Sequence, residues 1–156
     1  MAPTAVDKLT PADPRVQHLT VTIPNTTRTY GYLLANPTIP PTGTALLVHG
    51  FPDLSFGWRY QVPFLLARGL RVIVPDLPGY GRTDAPQELG AYSYKSVVED
   101  LVQVVKHVLR EAGEDEEERI VLGGHDWYVW VPHFFFFYWG CWFFGGEGWM
   151  EMTDIA

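Results

Sequence analysis

The sequence predicts an α/β domain built on a mainly parallel sheet. Short continuous apolar runs recur at residues 45–48, 72–74 and 120–122, the texture of strands buried on both faces. Amphipathic segments separate them, and the loops that follow the runs are rich in Gly and Pro. Strands alternating with helices in this way give a parallel sheet with helices packed on it.

Residues 1–15 form a Pro-bearing lead-in. Residues 16–34 read as two strand-like stretches around a turn at Asn25, an antiparallel hairpin. Three prolines between residues 36 and 43 mark a loop before the first buried strand. Residues 56–67 predict one amphipathic helix with Gly69 at its C-terminal end. Ser93 is placed to cap the clearest helix, in which Val97, Val98, Leu101, Val102, Val105, Val108 and Leu109 share a face that runs on to Gly113. The five acids at 114–118 read as a solvated loop.

The chain has 156 residues, 47% of them hydrophobic, and a formal charge of −7. That suits a packed core and argues against a polyanion-binding surface, so no nucleic acid is expected. Cys141 is the sole cysteine. With no signal-peptide pattern in the lead-in, it suggests a cytoplasmic location. The sequon at Asn25 is read as chance without such a signal. No His/Cys/Asp/Glu group has metal-ligand spacing, so neither a metal nor another cofactor is expected.

Two loops stand directly after buried strands, where open α/β sheets hold their ligands. One is His49-Gly50-Phe51-Pro52 and the other Gly124-His125-Asp126-Trp127. A strand running through Gly into an acid resembles the sharp strand-to-helix turn that lifts a nucleophile above a sheet. A carboxylate there would attack a saturated, electrophilic carbon and form an alkyl ester. Alone, the triplet is a weak signal and reads more readily as an Asp capping the next helix.

Taken together, HGFPDLSFGWRYQ, VIVPDLPGYGRTDAP and GGHDW, in that order, resemble the α/β-hydrolase superfamily and, within it, the soluble epoxide hydrolases. The resemblance spans residues 16–127. It implies a partial α/β-hydrolase fold, a mainly parallel sheet with an N-terminal antiparallel hairpin. It implies Asp126 as nucleophile, with the backbone N–H groups of Phe51 and Trp127 as oxyanion donors. Pro52 would shape its loop through a cis peptide, while His49, Gly50, Gly124 and His125 support the two loops. Trp58 would line a substrate pocket or pack in the core. Asp76 and Arg82 are read as loop-packing residues. The ligand implied is a small-molecule epoxide, opened to a vicinal diol without a cofactor. Dehalogenases of the same superfamily also use an Asp nucleophile. Those acting on haloalkanes favour a polar side chain after His-Gly, where this chain has Phe51.

From about Tyr128 the resemblance stops. Residues 127–156 hold 13 of the 23 aromatics, and the last Lys or Arg is Arg119. The tail at 128–156 is expected to be foreign to the family, either translated intron or frameshifted sequence. The lid, charge-relay acid, general-base His and C-terminal strands that the resemblance calls for are expected to be missing. The third buried strand is then expected to keep a bare apolar edge, with self-association and little or no turnover as results. A non-enzymatic product with a membrane-associating tail is the alternative. Residues 127–146 carry no formal charge, yet Pro132, the glycines and the absence of flanking Lys or Arg count against a membrane span.

Overall fold

The computed structural model describes residues 6–126 and the backbone of residues 142–145 and 148–151. A seven-stranded sheet has the order β1-β2-β4-β3-β5-β6-β7. β1 (Gln17–Thr22) and β2 (Thr29–Ala35) form the expected antiparallel hairpin. β2 lies antiparallel to β4 (Leu70–Pro75). β3 (Gly43–Val48) runs parallel to β4 on one side and to β5 (Ile120–Gly124) on the other.

Parallel neighbours need crossovers, and these place a helix on each face. α1 (Gln61–Leu66) connects β3 to β4, and α2 (Tyr94–Glu111) connects β4 to β5. Alternation along β3 and β4 divides the core between them. Leu46, Val48 and Ile73 pack with the apolar stripe of α2. Ala45, Leu47, Val72 and Val74 pack with Val62 and Leu65 of α1. Each fully buried Val or Leu contributes about 2 kcal/mol by leaving water. The Ser93 hydroxyl accepts from the Ser96 N–H at 3.3 Å, capping α2 as its sequence predicts.

Three expectations need correction. The predicted 56–67 helix is two pieces, a 3-10 turn at Ser55–Trp58 and the short α1. Pro63 sits in the first turn of α1, where its missing N–H is harmless, but its ring bars helix continuing back through the residue 59 carbonyl. The lead-in packs against the domain, with Leu9 2% exposed within the α1-side core and its N–H donating to the Arg59 carbonyl at 2.8 Å. The acidic run is not wholly solvated, because Glu114 accepts two bonds from buried Arg71, at 2.5 and 2.8 Å. Nor is β5 left with a bare edge. β6 (Trp142–Gly145) pairs parallel with it, and β7 (Gly148–Glu151) pairs antiparallel with β6. Aromatic-rich sequence suits a strand, and this part of the tail supplies two.

The hairpin is bolted to α2 by a buried polar group. Asp100, 1% exposed, pairs with Arg28 at 2.7 Å and accepts from Tyr30 and Thr26 at 3.0 and 3.2 Å. Burial pushes the Asp100 carboxyl above its ordinary value against the pull of Arg28. Arg28 Nε is itself buried without a partner. Asp100→Ala strands the Arg28 charge in the core and is expected to cost about 3–5 kcal/mol in urea unfolding. A loss below about 1 kcal/mol would show that the pair does not hold the hairpin.

Candidate active site

The two motif loops meet because β3 and β5 are adjacent and parallel, with Val48 registered opposite Gly124. The His125 N–H donates to the Val48 carbonyl at 3.1 Å, carrying the pairing one residue beyond β5. Asp126 follows at φ +60°, a left-handed conformation that a non-glycine residue adopts at some cost. This sharp turn leaves Asp126 exposed on the carboxyl rim of the sheet. The Phe51 N–H donates to Asp126 Oδ2 at 3.0 Å. Gly50 permits the approach, since a Cβ there would collide with the Asp126 side chain and lie 2.7 Å from the His125 carbonyl oxygen. The Phe51–Pro52 peptide is cis.

His49 lies beneath this contact and is fully buried. Its Nδ1 lies 2.8 Å from the Gly50 carbonyl oxygen, and its Nε2 accepts from the Leu77 N–H at 3.0 Å. Nε2 must therefore be bare, and Nδ1 carries the proton. The Tyr80 ring meets the imidazole edge-on at 5.2 Å. His49 thus ties the Phe51 loop to the loop after β4. Asp76 braces the loop after β4, accepting from the Ser55 N–H at 2.9 Å and the Arg82 N–H at 3.4 Å. Thr83, which no sequence signal singled out, donates to the Asp76 carbonyl at 2.6 Å and accepts from the Gly31 N–H at 2.9 Å.

Trp58 is half-buried against the α1-side core and lines a small apolar pocket of about 130 Å³ with Leu47, Phe64, Val121, Gly123 and Gly124. Trp127 and residues 128–141 lie outside the described residues. A cleft of about 620 Å³ opens beside Gly50 and Phe51, walled by Tyr80, Tyr92 and Tyr94. Sequence reasoning missed these tyrosines as a group, although all three stand in loops or helix starts that follow β4. A groove of about 510 Å³ between the N-terminal segment and α1 holds none of the motif residues. Among the described residues no cluster could hold a metal ion, and no helix is long and apolar enough to cross a membrane.

Burial holds the His49 pKa below its ordinary 6.5. The folded state therefore resists protonation more than the unfolded chain does. Stability is full above about pH 6.5 and declines as pH falls from there toward the depressed value. Urea titrations between about pH 7.5 and 5.5 should show this decline, and His49→Gln should flatten it. An equal slope in both proteins would place the pH dependence elsewhere.

The model of the alpha/beta hydrolase family matches residues 45–127, the segment that carries both loops. The epoxide hydrolase srdG of Neurospora crassa is 52% identical over 125 residues, covering 78% of this chain and 35% of that protein. Epoxide hydrolase 2 of Siraitia grosvenorii is 35% identical over 121 residues, covering 78% of this chain and 34% of its own. The crystal structure of epoxide hydrolase VrEH1 from Vigna radiata superposes with a TM-score of 0.61 at 30% identity, over 77% of this chain and 33% of that one. The chain thus spans about a third of the length of the curated relatives it matches. Its motif loops, its sheet order and the family match over residues 45–127 agree: the chain belongs to the α/β hydrolase family.

Proposed function

We propose that the chain carries the nucleophile half of an epoxide-opening site. The observation that carries this reading is the Phe51 N–H bonded to Asp126 Oδ2 at 3.0 Å, on a residue lifted by its positive φ. A carboxylate oxygen of Asp126 attacks one ring carbon of the epoxide. The C–O bond at that carbon breaks, an ester forms, and the released alkoxide takes a proton from water. Water attack on the ester carbonyl would then regenerate the Asp126 carboxylate and release a vicinal diol. The Phe51 N–H, already aimed at a carboxylate oxygen, is one donor for the oxyanion of that second step. Trp127 is the second donor by resemblance. Phe51 offers no polar side chain to a halide, which favours the epoxide over a haloalkane.

The general-base His and its relay acid belong, by the same resemblance, to the part of the relatives that this chain does not span. In residues 1–156 tested by themselves, ester formation is expected to outrun ester release. Intact-mass spectrometry after incubation with styrene oxide should show one adduct on the folded chain, mapped to Asp126 and absent from Asp126→Ala. Steady-state diol production that disappears in Asp126→Ala would overturn the expectation of a retained ester. No adduct in a well-folded chain would overturn Asp126 as nucleophile.

We also read the single cysteine as suiting the cytoplasm and the α1 face as a self-association surface. Phe64, which lines the apolar pocket beside Trp58, is 47% exposed. Light scattering should find oligomers that Phe64→Lys shifts toward monomer. A monodisperse wild-type monomer would refute this.

A further inference from the structure

The geometry points to the tyrosine-walled cleft beside Phe51 as a subsite for the uncharged aromatic arm of the epoxide. The inference rests on Asp126 being the nucleophile, and deepens that reading by naming a substrate class. The cleft is continuous with the site, because Gly50 and Phe51 line it and also contact Asp126. Its volume of about 620 Å³ lies within the range of small-molecule sites.

Its walls are rings held in fixed places. Tyr80 stands edge-on to buried His49 at 5.2 Å. The Tyr92 hydroxyl donates to the Pro86 carbonyl at 2.9 Å, so that end of the ring is anchored away from an incoming ligand. Gly79, at φ +85°, leaves the Tyr92 ring uncovered on the side where a Cβ would lie 3.6 Å from it. Phe51 is 65% exposed and offers a further ring at the mouth. None of the described residues lining the cleft is charged, so a carboxylate or ammonium arm finds no counter-ion among them. Fixed rings favour a flat partner, since aromatic pairs gain attraction beyond the area they bury. A flexible alkyl arm gains only the area.

Two readouts on the full chain test this. In the first, ester formation is timed by intact mass with styrene oxide and with butylene oxide. Wild type should prefer the aryl probe, and Tyr92→Ala should cut the aryl-to-alkyl ratio by about tenfold. Tyr92→Leu, which keeps apolar bulk without the ring, should lose the same preference and serves if the alanine variant does not fold. In the second, saturation-transfer NMR follows the phenyl protons of styrene glycol, whose binding needs no nucleophile. Saturation is expected with wild type and Asp126→Ala, and should vanish with Tyr92→Leu. If Asp126 is not the nucleophile, neither epoxide forms an ester, yet the glycol signal still decides the cleft. No phenyl saturation with wild type, or an unchanged signal in Tyr92→Leu, would overturn the subsite. So would a probe ratio unaffected by both variants.

Discussion

Two strand ends touch because position 50 has no side chain. β3 and β5 run parallel as neighbours, and their loops leave the sheet at the same rim. Any Cβ at Gly50 would occupy the space of the Asp126 side chain. With that space open, the Phe51 N–H reaches the carboxylate, and Asp126 can hold its left-handed turn against it. The layers beneath serve this contact. His49 fixes the Phe51 loop to the loop after β4, Asp76 fixes that loop to the 3-10 turn at Ser55–Trp58, and the two cores hold β3 flat between α1 and α2.

Much of this was legible in the sequence, for definite reasons. Residues 45–48, 72–74 and 120–122 are apolar on both sides of the pleat, and only strands covered on both faces need that. Ser93 and the spacing of Val97 to Leu109 define a capped, one-sided helix, which is what α2 is. The motifs HGFP and GGHDW pointed to the two loops that the sheet brings together.

What stayed hidden depended on partners distant along the chain. Nothing local says that Glu114 answers a buried Arg71 43 residues earlier. Nothing near Arg28 announces Asp100 across the core. The split in the helix before α1 has a local signal in Pro63, which the apolar spacing of residues 56–67 masks. The pairing of β6 with β5 was the hardest to foresee, because the break in family resemblance at Tyr128 suggested sequence with no place in the sheet. The tyrosine cleft escaped for another reason: its rings are gathered by the loop after β4, not by a periodic pattern.

The strand order also sets when the site can exist. β3 is central, yet both of its partners, β4 and β5, come later in the chain. The β1–β2 hairpin likewise waits for β4 to give it a neighbour. Long-range parallel pairing is slow because loop closure must precede its reward. A chain emerging from its N-terminus can tie the Phe51 loop to the loop after β4, but only β5 brings Asp126 to the Phe51 N–H. The carboxylate and its N–H partner are assembled in one late event, so a half-folded chain has no formed nucleophile to present.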